Sequence, residues 1–227
     1  MYSSKCTTHS LPTSFDGVFF VTLRMRDALP KSFGLNLALQ YYSIQVKFAQ
    51  QPDQTAQLRQ ARKRLFARFD NALDLEKYGH DHLREPALAK IVADEILSRD
   101  GLDYTLLSYS ILPNHVHLLF DLHRTLSEAP TLDDLESYRY QPLRDIVWKI
   151  QNATEAPLKK ALQQLGEHID PNTFQKHSHN GTVKMEGKFW HEQTFDFRVH
   201  DNAEFEKIAE YILHSPLKSE LAVYCLE

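Results

Sequence analysis

The sequence predicts an α+β fold, in which an antiparallel sheet carries helices on one face and is extended by helical insertions. β-branched and aromatic runs at 18–25, 103–112 and 115–120 predict strands. Pro113 and Asn114 leave room only for a tight turn between the second and third runs. Strands joined so directly pair as a hairpin, and we therefore expect an antiparallel sheet.

Helices are predicted by apolar residues that recur every three or four positions. This periodicity covers the segments 35–48, 54–73, 86–98, 143–165 and 202–215. Pro157 lies inside the fourth segment and predicts a kink or an interruption there, and Pro216 is expected to end the last helix. The aromatic stretch 189–199 is predicted to be extended.

The chain has 227 residues, of which 42% are hydrophobic and 25% are charged, as in an ordinary globular protein. It contains no internal repeat and no evident linker. We therefore predict a single domain over residues 1–227, with its core at about 15–223. A polar excursion rich in His, Asn and Gly is expected at about 166–188.

Composition excludes several classes of protein. The two cysteines, Cys6 and Cys225, make no disulfide framework, and no apolar run approaches the roughly 20 residues of a membrane-spanning helix. Because the polar amino terminus also lacks a signal peptide, we expect a cytoplasmic protein. A formal net charge of −4 is not typical of a bulk nucleic-acid coat, but a local basic surface is enough to bind phosphates.

One such basic surface is predicted on the second helix. Five cations lie between its apolar positions: Arg59, Arg62, Lys63, Arg64 and Arg68. They are candidates for contacts to DNA phosphates. The alternative is an ordinary solvated helix face.

Two histidines stand one residue apart in the third strand. Because side chains alternate along a strand, His115 and His117 point to one side, and Val116 and Leu118 to the other. Neutral imidazoles are common ligands of divalent metals, so this pair predicts half of a metal site. The alternative is that both are polar residues on the wet face of a half-buried strand.

A tyrosine borders the buried stripe of the last helix. Tyr211 and Ser215 lie together at the edge of this stripe, Lys207 lies one turn before Tyr211, and His214 flanks it. A tyrosine in this place can pack its ring and present its hydroxyl outward. The alternative is a tyrosine used only for packing.

These features occur in the order found in a known family. The stretch 113–119, Pro-Asn-His-Val-His-Leu-Leu, is similar to the His-hydrophobic-His signature of the HUH single-tyrosine transposases. The chain resembles more specifically the REP-associated tyrosine transposases (RAYTs). Further segments that resemble this family, in the same order along the chain, are 20–30, 65–70, 83–86, 189–199 and 211–221.

The resemblance implies a ferredoxin-like sheet and a metal-dependent DNA strand transferase. His115 and His117 would hold Mg²⁺ or Mn²⁺, and Tyr211 would attack single-stranded or hairpin DNA to leave a 5′-phosphotyrosine. We infer that Lys207 stabilises the phenolate or contacts the phosphate. Trp148 and Lys149 resemble a Trp-Lys pair of the family, which makes Lys149 a candidate DNA contact. We expect a monomer, although related transposases work as homodimers.

The sequence departs from the family where an asparagine is expected to add a metal ligand. Ser215 stands there, and its shorter hydroxyl is a weaker ligand, so His214 or a water is a candidate replacement. This departure leads to a second hypothesis, a domesticated protein that binds DNA hairpins with weak or no catalysis. A third hypothesis, a small-molecule metallohydrolase, is disfavoured because no third histidine or carboxylate follows at zinc-site spacing.

Overall fold

The computed structural model describes residues 17–48, 54–122, 141–168 and 188–218. Its sheet has four antiparallel strands in the order β2-β3-β1-β4. These strands are β1 (Val18–Arg24), β2 (Thr105–Ile111), β3 (His115–Asp121) and β4 (Phe195–Arg198). The α+β class and the antiparallel sheet are confirmed.

The helices are α1 (Lys31–Phe48), α2 (Gln54–Asp74), α3 (Pro86–Ser98), α4 (Gln141–His168) and α5 (Asn202–Lys218). Three of them connect β1 to β2, and α4 connects β3 to β4. Together with the spatial order of the strands, this connectivity is that of a ferredoxin-like fold extended by extra helices.

Helices cover both faces of the sheet. One face of the central strands, with Val21 and Leu118, shares a large apolar cluster with α3 and α4. On the opposite face, Phe20 and Leu119 form a second cluster with Ile208 and Ile212 of α5. The prediction of helices on one face therefore describes α3 and α4, while α5 adds a layer that sequence periodicity did not place.

Helix α2 also lies on the α5 side of the sheet. Its Phe66 ring meets Phe20 edge-on, with centroids 5.1 Å apart. Its Phe69 ring stacks on Phe195 of β4 at 5.4 Å. Since Phe195 and His117 are both cross-strand partners of Thr22 in β1, they share one face, and α2 therefore packs above the histidines.

Two helices continue through prolines at which the sequence predicted an interruption or an end. Helix α4 runs through Pro157 without interruption, and α5 continues past Pro216 to Lys218. Near Pro157, the Thr154 hydroxyl donates to the carbonyl of Ile150 and accepts from Trp190 Nε1, both at 2.8 Å. Tertiary contacts of this kind hold a helix where local preference alone would break it.

Most of the predicted polar excursion, from 169 to 187, lies outside the described residues. Within the part of the chain that the structure describes, no helix is both long enough and apolar enough to cross a bilayer.

Candidate metal centre

The two histidines of β3 meet at their ring nitrogens. His115 Nε2 and His117 Nε2 are 3.2 Å apart, and both side chains are buried. The spacing of two residues puts both rings on the α5 face, as the strand period requires. Strand β3 begins at His115, directly after the hairpin turn at Pro113 and Asn114.

The other nitrogen of each ring is already engaged. His115 Nδ1 lies 2.6 Å from Asn114 Oδ1, and the amide of Asn114 donates in turn to the carbonyl of Leu73 at 3.0 Å. Because that second bond fixes the amide, Oδ1 can only accept, and His115 Nδ1 must carry the proton. His117 Nδ1 lies 3.0 Å from the Thr22 hydroxyl.

It follows that His115, when neutral, directs an Nε2 lone pair at His117. In the tautomer in which His117 Nδ1 donates to Thr22, both Nε2 lone pairs face each other, and a cation between them relieves their repulsion. A ring whose Nδ1 donates to an oxygen while Nε2 stays free has the arrangement of a metal ligand. The pair is thus oriented for a cation by Asn114 and Thr22.

Asp70 of α2 completes the group. Its Oδ1 lies 3.2 Å from His117 Nε2, and candidate ligand atoms of Asp70, His115 and His117 all lie within 4.8 Å of one another. Oδ1 is buried and has no hydrogen-bond partner of good geometry among the described residues. An oxygen in that state is costly unless something binds it.

The residues fit a divalent cation. Two imidazole nitrogens and one carboxylate oxygen converge, and that oxygen, Asp70 Oδ1, is the one without a hydrogen bond among the described residues. Three protein ligands leave positions for water or substrate, as in catalytic rather than structural sites. This buried Asp-His-His group, hereafter the metal centre, can therefore hold a metal ion.

Tyr211 of α5 borders the metal centre. Its hydroxyl donates to Asp70 Oδ2 and lies 3.5 Å from His117 Nε2. The ring meets Phe66 edge-on, with centroids 6.4 Å apart. The two oxygens of Asp70 are thus divided, since Oδ1 faces the imidazoles and Oδ2 holds the phenol.

The electrostatics keep the carboxylate charged and the phenol neutral. Burial opposes the charge of Asp70, but the close approach of the His117 ring lowers the pKa of this carboxyl below its usual value. Burial, followed by the charge of Asp70, raises the pKa of the Tyr211 phenol well above its usual value. Burial also holds the pKa of His115 well below its usual range, so that this ring stays neutral.

The other candidates on α5 lie apart from these atoms. The Ser215 hydroxyl is buried and donates to the carbonyl of Tyr211 at 2.8 Å, within its own helix. His214 is exposed, with Nδ1 2.7 Å from the Glu210 carbonyl. Lys207 is also exposed. The metal centre thus does not include His214, and the Ser215 hydroxyl is directed at the helix backbone.

Most of the predicted DNA-binding cations contact carboxylates of the protein itself. Arg59 and Lys63 both pair with Glu204, at 2.9 Å and 2.5 Å. Arg62 pairs with Asp196 at 3.4 Å, and Lys149 with Asp103 at 2.6 Å. These cations therefore help to hold α2 against α5 and β4, and α4 against the start of β2, whereas Arg64 is exposed.

The sequence analysis did not select Asp70, Asn114 or Thr22 as site residues. A signal for Asp70 was present, because it stands four residues after Phe66 and three before Leu73. These residues lie on one helical face, so a carboxylate falls inside a buried stripe. No comparable signal marks Thr22, whose role depends on pairing between β1 and β3.

Comparisons with known proteins add a remote likeness only. No family model matches this sequence, and no curated protein is detectably similar to it. The chain is similar to a solved structure of a REP-associated tyrosine transposase bound to a REP hairpin. The identity is 13% and the TM-score 0.32, over 93% of this chain and 74% of that one. The site is therefore interpreted from its own geometry.

Proposed function

We propose that this protein is a metal-dependent enzyme that cuts and rejoins single-stranded or hairpin DNA through a covalent bond to Tyr211. The observation that carries the proposal is the contact of the Tyr211 hydroxyl with Asp70, whose other oxygen belongs to the metal centre. A nucleophile, a proton acceptor and cation ligands thus share one buried site. The choice of DNA as the substrate is supported by the sequence motifs that resemble RAYT transposases.

The residues divide the work of a phosphodiester transfer. Asp70 Oδ2 accepts the proton of the Tyr211 hydroxyl, and the phenolic oxygen forms a bond to the phosphorus. The bond from phosphorus to the 3′-oxygen breaks, and that oxygen leaves as a free 3′-hydroxyl after it takes up a proton. The fragment downstream stays joined to the protein by a 5′-phosphotyrosine.

His115 and His117, with Asp70 Oδ1, would hold Mg²⁺ or Mn²⁺. The ion, when bound, polarises the phosphoryl oxygens and offsets the negative charge that develops on them. Asn114 and Thr22 keep both imidazoles turned toward it. A phosphotyrosine ester conserves the energy of the broken bond, so that rejoining to another 3′-hydroxyl needs no nucleotide cofactor.

A second candidate function is binding of DNA hairpins without turnover. It is favoured by Ser215, which replaces the asparagine of the resembled family and directs its hydroxyl to the carbonyl of Tyr211. In this case the metal centre has one ligand fewer than the resemblance to RAYT transposases implies. The fold and the DNA contacts would persist while strand transfer is slow.

The deciding experiment is a denaturing gel of the full-length protein incubated with hairpin DNA and Mn²⁺. The oligonucleotide carries repeats that flank the gene, labelled in separate reactions at the 5′ and 3′ ends. If the protein is an enzyme, we expect a slowly migrating protein–DNA band that carries only the 3′ label, together with a free 5′-labelled fragment. Chelator and Tyr211→Phe should each abolish that band.

The matched control is Tyr104→Phe. Tyr104 is a buried tyrosine on the α3 side, and its hydroxyl donates to the Ile96 carbonyl at 2.6 Å. This variant loses one phenolic hydroxyl without touching the metal centre, and it should keep the covalent band. Hairpin binding in a native gel with no covalent band would favour the second candidate function, binding without turnover. Ser215→Asn is then the variant to test for recovery of the covalent band.

A further inference from the structure

A positively charged side chain is also buried on the face that carries the metal centre. Arg24, the last residue of β1, is only 4% exposed. It pairs across the strands with His115, so the two side chains leave the sheet on the same side. Burial lowers the pKa of Arg24 to about 10, against the opposing influence of Asp27, and the guanidinium stays charged at neutral pH.

This guanidinium lacks the partners that a buried arginine normally has. Neither Nε nor Nη1 of Arg24 makes a hydrogen bond among the described residues. The carboxylate that influences it, Asp27, is bonded instead to His80 Nδ1. Two nitrogens, which together carry three N–H donors, are therefore left without hydrogen bonds inside the protein, which costs free energy.

The space beside Arg24 is open at the first turn of α1. Gly34 stands there, and a Cβ built on it would meet a single described atom within 4 Å, Arg24 Nη2 at 4.0 Å. The absence of a side chain at position 34 therefore leaves unfilled space next to Arg24 Nη2. The amino end of a helix also carries a partial positive charge, which leaves two positive groups together.

We propose that Arg24 and the first turn of α1 form a phosphate-binding subsite for the DNA strand, one nucleotide or more from the phosphate that Tyr211 attacks. A phosphate supplies both things that the guanidinium lacks, namely acceptor oxygens and negative charge. The shared sheet face places this subsite beside the metal centre. The inference rests on the proposed function, because that proposal names DNA as the ligand.

The subsite has a consequence that a structural arginine would not have. Because its charge is buried and two of its nitrogens lack hydrogen bonds, Arg24→Met should raise the melting temperature of DNA-free protein by about 2 °C or more. The same variant should weaken hairpin binding about tenfold or more. It should also lower the slope of log affinity against log salt by about 0.7, the value for one lost phosphate contact on a single strand.

A second variant closes the opening and keeps the charge. Gly34→Leu places a side chain where only Arg24 Nη2 now borders the space, and leucine is a better helix former than glycine. We expect weaker hairpin binding with no loss of melting temperature. The matched control is Arg99→Met, which removes a paired arginine at the end of α3 and should change neither hairpin affinity nor the salt slope.

Binding is measured by fluorescence anisotropy with full-length protein, all variants also carrying Tyr211→Phe so that no strand is cut. Inorganic phosphate serves as an independent probe and should raise the melting temperature of the protein with intact Arg24 more than that of Arg24→Met. Unchanged hairpin affinity in Arg24→Met would overturn the subsite. A lower melting temperature in that variant would also overturn it, because Arg24 would then be a structural residue.

The subsite and the proposed function fail in different ways. If the protein forms the covalent band and Arg24→Met binds hairpin DNA as tightly as its parent, only the subsite is wrong. If no hairpin DNA binds to the protein but phosphate stabilises it through Arg24, the proposed function is wrong and the anion site stands.

Discussion

The two faces of the sheet are formed by the same central strands and bury different chemistry. On the α3 and α4 side, β1 and β3 present only apolar groups such as Val21, Leu118 and Phe120. On the α2 and α5 side, alternate residues of the same strands include Thr22 and His117. Burial is nearly complete on both faces, so the faces differ in the kind of side chain that is buried. One face buries apolar groups, and the other also buries polar groups.

This contrast shows that stability and chemistry are separated by strand alternation. Removing apolar groups from water is favourable, whereas buried polar groups break even only when each finds a partner. The metal centre contains an oxygen without one, Asp70 Oδ1, and the unpartnered Arg24 lies on the same face. We interpret the α5 face as the one that exchanges stability for function.

The largest expected effect is on the apolar face. Phe120 is fully buried and its ring stacks on Tyr104 with centroids 4.9 Å apart. Phe120→Ala should lower the free energy of unfolding by about 3–5 kcal/mol, because it removes a large apolar group and leaves a cavity. Urea unfolding measures this loss. Stabilisation of the variant by Mn²⁺ should remain, and its disappearance would show that the two faces are coupled.

The free energy of unfolding should fall in acid because of His82, a buried histidine outside the metal centre. Burial, with repulsion from His80, lowers the pKa of His82 to about 4, and its Nε2 has no partner among the described residues. Neutral His82 therefore contributes stability above pH 6.5, which is lost as the pH falls toward 4, by roughly 3 kcal/mol in all. His82→Phe should flatten that loss in urea unfolding with chelator present.

The charges around His82 set the background for this comparison. His80 has a raised pKa through its bond to Asp27, so its contribution has the opposite sign and is lost as the pH rises. Asp27 and Asp81 both favour protonated His82. Equal acid loss in the protein and in His82→Phe would assign the loss to other groups.

Metal binding should depend on the polar face alone. At a Mn²⁺ concentration of 100 times the dissociation constant, the ion should stabilise the protein by about 2.7 kcal/mol. His117→Ala should lose this increment, because it removes the ligand atom 3.2 Å from both His115 Nε2 and Asp70 Oδ1. Thermal unfolding with Mn²⁺ and with chelator measures the increment. His214→Ala is the control, since that exposed ring lies outside the metal centre and should leave the increment intact.

The smallest effect is expected at Ser215. Its hydroxyl donates to the carbonyl of Tyr211, which as a helical carbonyl has a backbone partner as well. Ser215→Ala should therefore change the free energy of unfolding by less than about 1 kcal/mol and leave the Mn²⁺ increment unchanged. A tenfold loss of Mn²⁺ affinity in this variant would show instead that the hydroxyl turns to the metal.

Local patterns predicted the parts of this molecule whose rules are short-range. Alternation along β3 placed His115 and His117 on one side, and Pro113-Asn114 marked the hairpin that begins this strand. Patterns at prolines were less dependable, because α5 continues past Pro216, where its end was predicted, and α4 is not interrupted at Pro157. Periodicity predicted helix α5, but it did not predict which face of the sheet this helix covers.

The sequence by itself determined the class of fold, the strands, the histidine pair and the tyrosine at the border of a helix. Only the tertiary structure brought Asp70 to the histidines and Tyr211 to its second oxygen, and placed His214 apart from them on the exposed side of α5. The physical reason is that strand and helix periods are set by neighbouring residues. A ligand set, in contrast, depends on how α2 and α5 dock over β1 and β3, and packing of the rings of Phe66, Phe20 and Tyr211 fixes that docking.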